Sequence, residues 1–195
     1  MIRQATVRDI PEILRIYDAA RAFMRRSGNM TQWCGGYPSE EIVRADIMHG
    51  VSYVLENEVG QPHAVFALIP GDDPTYAHIE GAWRDDSPYA TIHRAGSDGT
   101  ERGTFRTILA FARAQYEHLR ADTHADNIPM QHCLQKSGFA YCGIIYLKSG
   151  DPRCAYEWSK QSRTTSTKLT DCVLHANTSL RKRSCTCTLK YRRTS

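Results

Sequence analysis

The sequence predicts an α+β domain whose central sheet carries helices on both faces. Three observations predict it. Apolar residues recur at helical spacing around 10–24 and 105–112; two pairs of strand-like segments turn back on themselves around 57–61 and 149–151; and a short apolar segment at 90–95 runs through a glycine-rich loop into the second of those helices.

Taken in order, residues 2–6 read as a first short strand. Asp9 followed by Glu12 fits a capping box, and Pro11 falls in the first helical turn, where a missing N–H costs little. Ile10, Ile13, Leu14, Tyr17, Ala20 and Met24 mark one helix face; Arg25 and Arg26 suit the negative end of the helix dipole, and Ser27-Gly28-Asn29 stops it. Residues 30–37 form a loop holding Trp33 and Tyr37, and Ser39 caps a second helix that ends at Gly50. Residues 51–56 and 63–69 read as an antiparallel hairpin. Pro70-Gly71-Asp72-Asp73-Pro74 breaks the chain, residues 75–83 read as extended, and 84–88 as a polar loop. The central strand follows at 90–95, bounded by Pro88 and Gly96, and Phe105, Ile108, Leu109 and Ala112 mark the helix beyond it. Residues 119–123 give another strand. Asn127 and Pro129 open a helix that Gly138 ends, and residues 139–148 and 153–158 close the domain as a hairpin.

At 195 residues and 41% hydrophobic, the chain fits one domain with an appendage. Its net charge of +4 hides a division: from Ser159 onward there are nine Lys/Arg against Asp171 alone, so the residues before it hold 16 basic and 20 acidic side chains. Residues 159–195 are rich in Ser, Thr, Lys, Arg and Cys without apolar period, and are expected to be disordered. They read either as a basic arm for an acidic partner or, the favoured reading, as out-of-frame sequence appended to a domain spanning 1–158. Nucleic-acid binding would rest on that tail alone and is not expected. No apolar run approaches the roughly 20 residues that span a bilayer, and the first residues lack the apolar core of a secretory signal. Seven cysteines without CxxC spacing suggest a reduced, cytoplasmic setting, and the His and Cys spacing suggests no metal.

The chemistry concentrates between residues 93 and 105. Glycines let backbone N–H groups approach a ligand closely, and a helix start adds unpaired donors and a positive dipole end, which together make a pyrophosphate cradle. Neither GxGxxG nor GxxxxGK[ST] occurs, which lowers the dinucleotide and P-loop readings.

The order strand, glycine loop, helix, strand, Asn127 cap, helix and Gly138-Phe139, over about residues 1–158, resembles the GCN5-related N-acetyltransferase (GNAT) family. The resemblance implies a mixed, mostly antiparallel sheet, with acetyl-CoA as acyl donor and a small-molecule amine or amino-acid-like acceptor. It implies that the backbone of His93, Arg94 and Ala95 pairs with the pantetheine arm of the coenzyme. It further implies that amides over Gly99, Thr100, Arg102, Gly103, Thr104 and Phe105 hold the pyrophosphate with help from the Arg102 charge, and that Asn127 reaches the pantetheine, unless it only caps its helix. The loop between the first two helices often walls the acceptor pocket in the family, so Trp33 and Tyr37 either hold substrate or cover the edge of the core.

Three positions depart from the family pattern. Against the loop Arg/Gln-x-x-Gly-x-Gly/Ala, Thr100 takes the basic position, Gly103 fits, and Phe105 replaces the last small residue, either crowding the diphosphate or turning inward. Leu134 stands where the family often places a tyrosine that protonates the leaving thiolate. Direct thiolate release, a water, or Tyr141 or Tyr146 would then be needed, while Cys133 reads as a packed core thiol. For the base, Glu80 comes first, expected on a strand beside the central one; His93 comes second and His124 third. The alternative reading is a catalytically silent acyl-CoA-binding module. A homodimer through sheet edges or the closing strands is the assembly the resemblance implies.

Overall fold

The computed structural model of the protein describes residues 1–160. Its strands are β1 (Ile2–Gln4), β2 (Ser52–Glu56), β3 (Pro62–Pro70), β4 (Ile79–Gly81), β5 (Ala90–Ser97), β6 (His118–Thr123), β7 (Ala140–Tyr146) and β8 (Pro152–Ser159). Its helices are α1 (Ile10–Arg26), α2 (Glu40–Met48), α3 (Thr104–Gln115) and α4 (Ile128–Lys136). One sheet contains all eight strands in the order β1-β2-β3-β5-β6-β8-β7-β4. Only β5 and β6 pair in parallel; every other neighbouring pair is antiparallel, so the sheet is mixed and mostly antiparallel, as expected.

Side-chain alternation along the strands divides the core. Phe66, Leu68, Ala90, Ile92, Leu119 and Tyr156 pack with Ile108, Leu109 and Ala112 of α3 and Leu134 of α4. On the opposite face, Val54 and Val65 pack with Ile13, Ile16 and Tyr17 of α1 and Val43 of α2. Helices therefore cover both faces. A third cluster, Tyr76, Tyr89, Ile145 and Ala155, covers the end of the sheet that carries β7 and β8.

The start of α1 differs from the expected capping box. The Asp9 carboxylate turns back to accept the Thr6 N–H and hydroxyl at 2.7 and 2.9 Å, and it takes both Arg3 terminal nitrogens at 2.8 and 2.7 Å. Glu12 instead pairs with Arg15 at 2.8 Å. The α2 start is as the sequence suggests, with Ser39 Oγ accepting the Ile42 N–H at 3.4 Å.

Residues 75–83 are only partly extended. Pro74–Tyr76 is a 3-10 turn capped by Asp73, whose Oδ1 accepts the Thr75 N–H at 2.8 Å. Only Ile79–Gly81 forms a strand, and it pairs with β7 at the outer edge of the sheet rather than beside β5. Gly81 opposes Gly143 in that pair, and a Cβ on either glycine would lie 2.2 Å from a carbonyl oxygen of the other strand. Side-chain-free residues are what let the two backbones come this close.

A buried polar cluster fixes the segment that enters β5. Glu157 Oε1 accepts from His118 Nε2 at 2.6 Å, and its Oε2 accepts the Arg84 N–H at 2.6 Å. The Arg120 guanidinium lies 4.0 Å from the ring centres of both Trp83 and Tyr89. A guanidinium stacked on two aromatic faces and beside a carboxylate can be buried at tolerable cost.

The domain boundary moves slightly. Ser159 is the last residue of β8, and the Lys160 N–H donates to Glu117 O at 2.7 Å. The rest of the tail read as disordered lies outside the described residues.

Hydrogen bonding from Arg3, opposed by burial and aided by Thr6, holds the Asp9 carboxyl at about 2, below its ordinary value of 3.8. A depressed carboxyl stabilises the fold above its unfolded value and loses that contribution as pH falls through its folded value. Asp9→Asn is therefore expected to cost about 2 kcal/mol at neutral pH. It should also flatten the loss of stability between about pH 5 and 2, read from urea midpoints across that range.

Candidate active site

β5 and β6 stay together for only two register positions, Ala90 opposite Leu119 and Thr91 opposite Arg120. Beyond these they part, and a cleft of about 570 Å³ opens between them, lined by His93, Arg94 and Ala95 on one side and by Ala121, Asp122 and Thr123 on the other. The β5 edge facing β6 is thus left with main-chain donors and acceptors that have no strand partner, and such groups seek an extended ligand.

The other edge of β5 carries a bulge. His93 opposes Ala67 and Gly96 opposes Val65, so Arg94 and Ala95 together face Phe66. Arg94 adopts φ 51°, a left-handed conformation that costs a non-glycine residue about 1 kcal/mol or more. Three hydrogen bonds hold it there: Asp46 of α2 accepts Arg94 Nε and Nη2 at 2.8 Å each, and the Tyr17 hydroxyl donates to the Arg94 carbonyl at 3.1 Å. Burial pushes that phenol well above its ordinary value, so it stays a donor. The extra residue resets the alternation: His93 and Arg94 both reach groups on the α1/α2 side, while Ala95 packs towards α3. Arg94 contributes to the cleft through its backbone, since its guanidinium is already paired.

His93 sits in a carboxylate pair. Its Nε2 bonds Asp73 Oδ2 at 2.8 Å, and its Nδ1 lies 3.8 Å from Asp122 Oδ1, which accepts the Tyr76 hydroxyl at 2.8 Å. Burial raises the Asp73 carboxyl, but hydrogen bonds from His93 and Thr75 outweigh it and hold the group far below the carboxylate range. Asp73, Asp122 and Tyr76 were missed by the sequence reading. Asp73 lay in a segment read only as a chain break, although an Asp before Pro-Thr is itself a turn-capping signal.

Glu80 does not meet the expectation made for it. On β4 it is separated from β5 by β7, β8 and β6, it is absent from the cleft wall, and its Oε1 accepts the Tyr146 hydroxyl at 2.9 Å. Tyr141 and Tyr146 likewise lie off the cleft, and Cys133 is exposed rather than packed. Leu134 is buried and lines the cleft, so an alkyl group does occupy the expected acid position. His124 is spent on Thr31, its Nε2 lying 3.1 Å from Thr31 Oγ1.

Trp33 and Tyr37 do line the cleft, and Trp33 also stands edge-on to Tyr17 at 5.3 Å, so it serves wall and core together. Their loop is tied across the cleft mouth: Gln32 Oε1 accepts from Asn29 Nδ2 at 2.8 Å and from Asn127 Nδ2 at 3.0 Å. Asn127 Oδ1 meanwhile accepts the Met130 N–H at 3.3 Å. The capping reading of Asn127 therefore holds, and both ends of its amide are occupied.

The glycine loop ends at Gly103, which takes φ 77° as the N-cap of α3. The first N–H of that helix with a backbone partner is Thr107, donating to Gly103 O at 3.1 Å, so the amides of Thr104, Phe105 and Arg106 lack helical acceptors. Thr100 is not available as a side-chain ligand, because its N–H and hydroxyl both donate to Asp98 Oδ1 at 3.1 and 2.7 Å. Arg102 and Thr104 line a separate hollow of about 320 Å³ together with Leu55, Glu56 and His63, and the Thr104 hydroxyl donates to the Glu101 carbonyl at 3.1 Å. The Arg106 guanidinium stands at the end of the loop, its Nη2 3.4 Å from where a Gly103 Cβ would stand, a residue the sequence reading passed over. Phe105 turns inward against the α3-side core and forms part of the cleft wall without closing it.

No protein-family model matches the chain, and no curated protein does. Among solved structures, a GNAT-family acetyltransferase from Streptococcus agalactiae 2603 is 32% identical with a TM-score of 0.75, over 83% of this chain and 96% of that one. A GNAT-family acetyltransferase from Listeria monocytogenes 4b F2365 is 18% identical with a TM-score of 0.62, over 82% and 94%. A third, from Bacillus cereus ATCC 10987, is 16% identical with a TM-score of 0.57, over 83% and 98%. The last two bear on the fold alone.

Removing the Tyr17 hydroxyl orphans the carbonyl of a strained residue. Tyr17→Phe is expected to lower unfolding free energy by about 1–2 kcal/mol in urea titrations while leaving far-UV circular dichroism unchanged.

Proposed function

The chain belongs to the GCN5-related N-acetyltransferase family of acetyltransferases, and on that premise we propose that it transfers the acetyl group of acetyl-CoA to the amine of a small molecule. The observation that carries the reading is the parting of β5 from β6 beside the unpaired amides that start α3. The pantetheine arm would pair with the free edge of β5, and the diphosphate would take the amides of Thr104, Phe105 and Arg106, with Arg106 adding charge. The donor set fits such a ligand: an open strand edge for amides, and a helix start for phosphates.

His93 is the base in this reading. With Nε2–H donated to Asp73, the imidazole lone pair lies on Nδ1 and faces Asp122. The gap of 3.8 Å is too long for a hydrogen bond between those two groups but lets one ammonium contact both. Asp122 would hold the protonated amine, Nδ1 would take its proton, and the free amine would attack the thioester carbon. Main-chain N–H groups that the bulge takes out of the regular ladder would stabilise the oxyanion. The thiolate would leave directly or take a proton from water, since Leu134 has none to give.

Leu134 also favours the second reading, a silent acyl-CoA-binding module, which binds the coenzyme and turns over no amine. A cytoplasmic setting and a homodimer remain part of the proposal; the four described cysteines are unbridged, and no described helix is long and apolar enough to cross a membrane.

Thiol release from acetyl-CoA across an amine panel tests the reading. His93→Gln is expected to lower kcat about 10²–10³-fold while acetyl-CoA affinity by calorimetry stays within about threefold. Binding of acetyl-CoA with no turnover of any amine would select the silent module.

A further inference from the structure

Arg153 stands on β8 and lines the cleft, with only 9% of its surface exposed. Among the described residues it has no carboxylate within salt-bridge distance. Its one hydrogen bond runs from Nη1 to the carbonyl of its own neighbour Pro152 at 2.9 Å. Arg94, Arg120 and Arg3 are answered by carboxylates, from Asp46, from Glu157, and from Asp9 and Glu56. The half-buried Arg25 and Arg113 have no carboxylate, but Arg25 bonds the Asn29 and Gln32 carbonyls, and Arg113 bonds the Ser137 carbonyl and lies over the Trp158 ring. A guanidinium withdrawn from water without a counter-charge is costly, and the cost is recovered when a ligand brings the missing anion. The planar fork of arginine fits a carboxylate, phosphinate or phosphonate through two parallel hydrogen bonds.

Its position relative to His93 defines what that ligand can be. In the β6–β8 ladder Asp122 opposes Ala155, and Arg153 lies two residues along β8 on the same face. Two strand residues span about 7 Å. The cleft therefore has a negative end at Asp122 and a positive end at Arg153. Lys148 and Asp151, in the turn between β7 and β8, line the same end; neither forms an ion pair among the described residues, and Asp151 accepts the Ser149 hydroxyl at 2.7 Å, which leaves Lys148 and Arg153 as two cations against one carboxylate.

We propose that Arg153 is the seat for an anionic group of the acceptor, so that the substrate is a zwitterion: an amine delivered to His93 and Asp122, with a carboxylate or similar oxyanion a few bonds away against Arg153. This rests on the transfer reading above and narrows its acceptor. A plain alkylamine would leave Arg153 unanswered. A polyamine would place a second cation against it.

Matched acceptor pairs test it: L-amino acids against their methyl esters, and aminoalkylphosphonates against the corresponding alkylamines, each by thiol release and by calorimetric titration into the protein loaded with coenzyme A. The anionic member of a pair is expected to be favoured at least about 30-fold in kcat/KM, as for a charge-assisted pair in a shielded site. Arg153→Met should raise KM for the anionic acceptor by a similar factor, leave kcat for it within about threefold, and leave the neutral acceptor unchanged. Arg153→Lys should restore part of the loss. Unchanged acetyl-CoA affinity in each variant shows that the fold is intact. Equal kcat/KM within the pairs, or an equal loss for both members in Arg153→Met, overturns the inference while transfer itself stands. Binding of anionic amines to the coenzyme-loaded protein through Arg153, with no turnover of any amine in the pairs, would uphold the anion seat and reject the transfer reading. No binding of anionic amines and no turnover of either member of any pair would reject both.

Discussion

The structure depends on how far β5 is allowed to pair. Two register positions with β6 anchor the strand, and then the pairing stops. Neither part is incidental. Below the fork, Arg120, which opposes Thr91, is stacked between Trp83 and Tyr89 and faces Glu157, while His118 closes the same cluster. That network ties the segment leading into β5 to β6 and β8. Above the fork, the bulge at Arg94 and Ala95 breaks the other ladder, and Asp46 and Tyr17 hold it against α2 and α1. The cleft is thus built by satisfying polar groups on both sides of one strand while leaving its β6-facing edge unsatisfied.

This arrangement also explains why titratable groups gather where they do. The bulge puts His93 and Arg94 on the same side, one facing the chain before β4 and the other facing α2. Asp73 reaches His93 from a capped 3-10 turn, a local structure stiffened by the Thr75 amide and hydroxyl. Asp122 is presented by β6, at the level where that strand has just left β5, and Tyr76 fixes its carboxylate. Each group is oriented by a neighbour that is itself packed, the condition under which a base and its partner keep a productive geometry.

Much of the fold was legible because it is written in local periodicity. Ile10, Ile13, Tyr17, Ala20 and Met24 are all buried along α1, and the central strand, glycine loop and α3 follow one another as the text implies. What local pattern cannot carry is which strands become neighbours. Glu80 was expected beside β5 because little chain separates them; its partner is β7, about sixty residues on, and the site role fails with that pairing. Asp122 and Arg153 were passed over for the same reason, since each looks like an ordinary charged residue in an alternating strand until β6 and β8 are laid side by side. Asn127 shows the converse. Its capping role could be read locally, whereas its capture by Gln32 depends on a loop ninety-five residues earlier.

The claim that the free edge of β5 and the start of α3 hold the coenzyme is tested most directly by amide hydrogen exchange on the full chain, with and without coenzyme A. Slowed exchange confined to the β6-facing amides within residues 92–97 and to the amides of Thr104, Phe105 and Arg106 is the predicted result, because those amides gain acceptors that the protein does not provide. Unchanged exchange there at saturating coenzyme A, or protection found instead around Leu55, Glu56 and His63, would contradict it.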